Sequence, residues 1–179
     1  SKDDAVLVVD LGPGRHEDNH GRPMVSPAGN LIRVALGKSG CSGAFLTGCV
    51  GCRLPAKTTV QPEDLAACRP RLKQLFGALR PKRVVLVGTE AADEVAALLE
   101  QAPKLAEGVT LELITPPEQW FDRQMSDVEV QRKLRPTIAT LKTFLAVRKK
   151  TATKEKCAHE WTEIGTWKGR EKIKPMSLC

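Results

Sequence analysis

The sequence predicts an α/β domain of three layers, with a four-stranded parallel sheet enclosed by helices on both faces. Three observations carry that expectation. Four strand-length aliphatic runs recur along the chain: 5–9, 44–47, 83–87 and 109–114. They alternate with segments whose apolar residues repeat at helical spacing. The first run ends in a Gly/Pro turn, Asp10-Leu-Gly-Pro-Gly14, the usual opening of an α/β unit. Runs that are aliphatic throughout, instead of alternating with polar residues, suit strands covered on both faces.

Element by element, Ala5 to Val9 is the first strand, and the polar stretch 15–26 reads as a long loop. Pro27 opens a helix where proline is tolerated, running to about Leu36. Ala44 to Thr47 is a short strand, followed by a Cys- and Gly-rich segment over 48–60. Gln61-Pro-Glu-Asp64 suits a first helical turn, and Leu65, Cys68, Leu72, Leu75, Phe76 and Leu79 keep the helical period until Pro81. Arg83 to Val87 is the strongest buried strand. Gly88-Thr89 turns into an Ala-rich helix through Leu99, and Val109 to Ile114 is the last strand. A helix rich in Leu and Ile runs from about Ser126 to Val147. Ligands of open parallel sheets gather at the carboxyl ends of the strands, here the loops after Val9, Thr47, Val87 and Ile114.

The chain has 179 residues, enough for one domain with a small appendage. Apolar residues make up 41% but aromatic ones only 4%, with no Tyr, so the interior is aliphatic and a broad base-stacking platform is excluded. No apolar run is long enough for a membrane helix, and no secretory signal precedes the first strand, so a cytoplasmic protein is expected. The net charge is +7, and residues 148–179 hold nine Lys/Arg against four Glu, which leaves +2 for the rest. A basic tail on a nearly neutral body points to a polyanion, most simply DNA; the plain alternative is a solvated tail. The expected organisation is a domain over 1–147, a basic linker over 148–156, and a Cys/His tail over 157–179. In the tail, Cys157, His159 and Cys179 resemble part of a zinc knuckle, and Trp161 and Trp167 offer a surface for a protein partner. Cys41, Cys49, Cys52 and Cys68 fall within 28 residues, a clustering that favours metal ligation over disulfides.

The loop 10–29 concentrates chemistry. Gly12, Gly14 and Gly21 permit close backbone approach, the helix at 27 aims its N-terminus at the same space, and His16, Glu17, Asp18 and His20 add four titratable groups.

This loop resembles the first motif of the iron–sulfur uracil-DNA glycosylases of family 4, Gly-Glu-Ala-Pro-Gly followed by Glu-Asp, Gly-Arg-Pro-Phe-Val-Gly and Ala-Gly. Pro13, Gly14, Glu17, Asp18, Gly21, Arg22, Pro23, Val25, Ala28 and Gly29 fall in register. Cys52-Arg-Leu-Pro55 and Gln61-Pro-Glu-Asp-Leu-Ala-Ala-Cys68-Arg-Pro70 are similar to a second family stretch, with the same spacing between cysteines. The likeness spans roughly residues 5–145. It implies a DNA-binding fold that flips a base into a pocket and hydrolyses its N-glycosidic bond. Four departures put uracil specificity in question. Leu11 stands for a Glu, Met24 for the pocket Phe, and Gly48 for the base-reading Asn, while 114–121 lacks the late His.

The resemblance also implies a four-iron cluster, held by an amino-terminal Cys-x-x-Cys pair and two cysteines spaced like Cys52 and Cys68. This chain begins after the place of that pair. Cys49 and Cys41 are the residues that complete a set of four thiolates here, for an iron–sulfur cluster or for zinc.

Two readings follow. In the first, the protein excises a uracil-like or modified base. Asp18, Glu17 or Asp10 activates water, and His16 or His20 replaces the missing late histidine. The pocket is formed by Gly12, Pro13, Gly14, Met24, Thr47, Gly48 and Gly88, and Arg69, Arg71, Lys73, Arg148, Lys149 and Lys150 contact phosphates. In the second, the fold is a non-catalytic module that binds DNA or a protein.

Overall fold

The computed structural model describes residues 5–41, 43–55 and 58–146. The 148–156 linker, the Cys157, His159 and Cys179 tail, and Arg148, Lys149 and Lys150 lie outside the described residues.

Four strands, β1 (Val6–Asp10), β2 (Phe45–Gly48), β3 (Arg83–Val87) and β4 (Thr110–Ile114), form a parallel sheet in the order β2-β1-β3-β4. Its faces are separated by the strand's period of two. Val6 and Val8 of β1, with Val85 and Val87 of β3, pack against α2 (Pro27–Lys38) and α6 (Asp127–Ala146) through Ile32, Leu36, Leu134 and Leu141. Leu7 and Val9, with Val84 and Leu86, face α3 (Pro62–Leu79) and α4 (Thr89–Gln101) through Leu72, Phe76, Val95 and Leu98. The expected three layers are therefore present, and the buried core is aliphatic apart from Met24, Cys49 and Phe76. No helix among the described residues is long and apolar enough to cross a membrane.

The stretch read as a loop over 15–26 contains a helix, α1 (Arg15–His20), that ends on Gly21 in the left-handed conformation. Of its six residues only Glu17 is buried, so it has no apolar stripe for a periodicity argument to find. A four-residue helix, α5 (Pro103–Ala106), and a 3-10 turn at Pro117–Gln119 complete the elements among the described residues.

Two loops approach each other at the carboxyl ends of β1 and β2. Asp10 pairs with Gly48 across the sheet. The strands part there, but Cys49 and Val50 still donate their N–H groups to the carbonyls of Asp10 and Leu11, at 2.8 and 3.0 Å. Gly12 fits only because it lacks a side chain, since a Cβ would collide with Val50 Cγ2. This tight crossing sets the floor of the functional cavity.

Candidate active site

A cavity of about 310 Å³ opens over the ends of β1 and β2, near the lower end of the usual range for ligand sites. Asp10, Thr47 and Gly48 line it from the strand ends, Pro13, Glu17, Asp18 and Arg22 from the α1 region, and Arg71 from α3. The cavity thus lies at the carboxyl ends of β1 and β2, two of the four places where a site was expected. A neighbouring hollow of about 210 Å³ is lined by Gly12, Pro13, Gly14, Val50, Cys52 and Arg53.

The three carboxyl groups of the first cavity have different surroundings. Glu17 is 7% exposed. Its Oε1 accepts N–H bonds from Val25 (2.9 Å) and Ser26 (2.7 Å), and its Oε2 accepts one from Gly14 (3.2 Å). Burial alone would raise its pKa, but bonds from Ser26 and Val25 outweigh that and hold it below the usual carboxylate range. A carboxylate with both oxygens so engaged is a clamp for the 14–26 loop. Asp18 sits exposed at the rim, 3.6 Å from the Arg53 guanidinium. Asp10 lies on the floor. Burial pushes its carboxyl up to about 7, with Glu118 of the 3-10 turn and Glu17 of α1 adding repulsion against a small opposing effect of its own backbone N–H.

Arg71 reaches from α3 to the end of β2. Its guanidinium donates to Thr47 Oγ1 at 3.1 Å and to the carbonyls of Gly48 and Cys49. Arg71 is therefore a cation of the cavity, although its side chain remains exposed. Arg69 likewise turns inward and forms a two-pronged ion pair with buried Glu94, at 2.7 and 2.8 Å. Lys73 is exposed and lines neither hollow.

Other expected pocket residues are placed elsewhere. Met24 is 1% exposed and packs in the core between β1 and α2, its carbonyl held by Arg33 Nε at 2.9 Å. Gly88 is buried at the start of α4, where a Cβ would lie 3.0 Å from Pro116 Cγ, and it lines neither hollow. His16 and His20 are exposed, with His20 Nδ1 2.7 Å from the His16 carbonyl, and neither lines the cavity.

The set of four thiolates is not assembled. Cys41 packs on the α2/α6 side of the sheet, whereas Cys49 is buried on the α3/α4 side, because the two flank β2 and turn to opposite faces. Burial pushes the Cys49 thiol up to about 12, with Glu94 and Asp10 adding to it. Cys52 is exposed, and Cys68 Sγ lies 3.5 Å from Gly51 N, one residue away from Cys52. Among the described residues no three His, Cys, Asp or Glu side chains converge on a metal position. Cys41, Cys49, Cys52 and Cys68 therefore do not fit a cluster as one set.

A family model described as the Uracil DNA glycosylase superfamily matches residues 1–142. The chain belongs to that superfamily. Among curated relatives, it is 37% identical to a type-4 uracil-DNA glycosylase of Pyrobaculum aerophilum over 105 residues, 57% of this chain and 54% of that one. It is 35% identical to a type-4 uracil-DNA glycosylase of Thermotoga maritima over 91 residues, 50% of this chain and 47% of that one. A third, from Sulfurisphaera tokodaii, is 33% identical over 87 residues, 46% and 39% of the two chains. The chain thus spans about half the length, or less, of the curated relatives it matches.

The Asp10 environment makes a stability prediction. The folded state keeps the Asp10 proton up to about pH 7, whereas the unfolded chain releases it near its ordinary value of 3.8. Stability attributable to this group therefore falls as pH rises from about 4 to 7 and levels off above. Asp10→Asn should abolish that fall, leaving the variant equal to the wild type near pH 4 and more stable by roughly 2–4 kcal/mol at pH 8. Urea titrations across this range measure it. Equal stability of the two proteins at pH 8 would refute the raised Asp10 pKa.

Proposed function

We propose that this superfamily member is a DNA N-glycosylase that admits a flipped uracil-like or modified base to the cavity above β1 and β2 and hydrolyses its glycosidic bond. The observation that carries the reading is the convergence of Asp10, Asp18 and Arg71 on one cavity at the strand ends. The relatives' name, type-4 uracil-DNA glycosylase, supports the same chemistry.

In the reaction a water oxygen bonds to C1′ while the bond from C1′ to the base nitrogen breaks, its electron pair leaving with the base. Asp18, at the rim beside Arg53, orients the water and takes its proton. Glu17 holds the loop in shape for this, and Arg71 supplies positive charge for the departing base from the cavity wall. Asp18→Asn should lower excision from a uracil-bearing duplex by at least about a hundredfold while changing DNA affinity little. Binding without excision by the wild type, over a panel of uracil and modified-base duplexes, would assign the non-catalytic module instead.

DNA contact outside the cavity rests on charge. Arg148, Lys149 and Lys150 are the basic residues directly following the last described helix. Replacing all three by Gln should weaken binding to every sequence equally and flatten the slope of log affinity against log salt by roughly 2–3. An unchanged slope would remove this segment from the DNA interface and favour protein docking by the tail, where zinc ligation by Cys157, His159 and Cys179 is a proposal of the same kind.

For an iron–sulfur cluster, Cys52 and Cys68 are the two residues of this chain with support, since they match the family's spacing and lie on adjoining segments. The cluster's contribution would be structural, pinning the segment between β2 and α3. Cys52→Ser and Cys68→Ser should bleach the brown thiolate-to-iron absorption of anaerobically purified protein, and Cys41→Ser should leave it intact. Colour lost equally in all three would contradict this division of the cysteines.

A further inference from the structure

The floor of the cavity carries a side chain on one strand and none on the other. Gly48 ends β2 directly opposite Asp10 of β1. A Cβ at 48 would lie 2.8 Å from Gly12 Cα, 2.8 Å from the Val50 carbonyl oxygen and 3.0 Å from Asp10 Oδ1. The backbone at 12 and 50 therefore closes the space for any side chain at 48, and the Asp10 carboxyl occupies its edge. Glu17 is committed to three main-chain N–H groups, and Asp18 pairs with Arg53 at the rim. Among the described residues this leaves Asp10 as the carboxyl on the floor that faces an occupant of the cavity.

We propose that Asp10 reads the edge of the bound base, pairing its two carboxyl oxygens with a pyrimidine that presents a ring N–H beside an exocyclic oxygen. The proposal rests on the glycosylase reading above and names the group that selects the base. A neutral carboxyl offers one donor and one acceptor side by side, so its O–H donates to the exocyclic oxygen while its other oxygen accepts from the ring N–H. Burial favours that neutral form. Arg71, held to the carbonyls of Gly48 and Cys49, lines the cavity from its wall and cannot accept a hydrogen bond, so it cannot read the ring N–H. An amide has the same donor-and-acceptor pair as the neutral acid, whereas a methyl group has neither.

The test uses the full chain and three non-hydrolysable duplexes. One carries 2′-fluorodeoxyuridine, one its 3-methyl derivative, which lacks the ring N–H, and one a tetrahydrofuran abasic site. Wild type and Asp10→Asn should both bind the uracil duplex at least about fivefold more tightly than the methylated one, the loss expected when a buried acceptor goes unpaired. Asp10→Ala should bind the two equally while keeping wild-type affinity for the abasic duplex, which reports an intact fold and DNA surface. Should the Ala variant not fold, Asp10→Ser takes its place with the same expectation. An Ala or Ser variant that keeps the preference overturns the assignment, as does loss of preference in Asp10→Asn. Excision of ordinary deoxyuridine, measured alongside, separates the two readings. A wild type that excises but whose preference is unaffected at position 10 overturns only the role of Asp10. One that neither excises nor discriminates overturns the glycosylase reading with it.

Discussion

The Glu17 carboxylate, buried between α1 and the start of α2, is the group on which the cavity wall depends. Three main-chain N–H groups from residues 14, 25 and 26 converge on its two oxygens. They belong to a loop with little apolar surface, whose polar backbone must find partners away from water. One side chain meets that need at the start of α1 and at the start of α2, and Arg33 completes the fastening by donating to the carbonyls of Pro23 and Met24. With the loop fixed, Asp18 is presented at the rim, and Met24, in the left-handed backbone region, is turned into the core. A carboxylate and an arginine thus do for this loop what apolar packing does for the sheet.

The opposite wall is built from α3 by a similar economy of charge. Arg69 and Arg71 are two residues apart, which places them about 200° apart around the helix. One points to Glu94 on α4 and ties the two helices of that layer together; the other points to the end of β2. The Arg69–Glu94 pair is partly shielded, with side chains 27% and 4% exposed, so removing either partner strands a charge more seriously than at an open surface.

How far the sequence revealed this molecule depended on whether a residue's role follows from its chain position or from the face it turns. The strands were legible because residues such as Val84 to Val87 are apolar on both faces, and only a doubly covered sheet accepts that. The long helices were legible from their apolar stripes. Helix α1 was not, being polar on every side except at Glu17. The cysteines were misgrouped because closeness along the chain says nothing of facing: Cys41 and Cys49 flank one short strand and end on opposite sides of the sheet. The bonds of Arg71 to the end of β2 were not legible, because helical periodicity places an arginine on the helix without telling which neighbour lies beneath it. Asp10 was recognised as a carboxyl of the site, but the closeness of Gly48 that gives it the floor required the strand register.

That register also limits how the site can change. Position 48 is blocked by main-chain atoms of two different residues, so removing the Asp10 side chain alone does not reopen it. Variation at 48 will be intolerant in a scan of single substitutions whatever residue is tried, and any gain there depends on simultaneous shifts at 12 and 50, a strongly non-additive combination. Position 10 carries no such block. On the role proposed for Asp10, a library built at 10 with its cavity neighbours will reach functional variety that one built at 48 cannot.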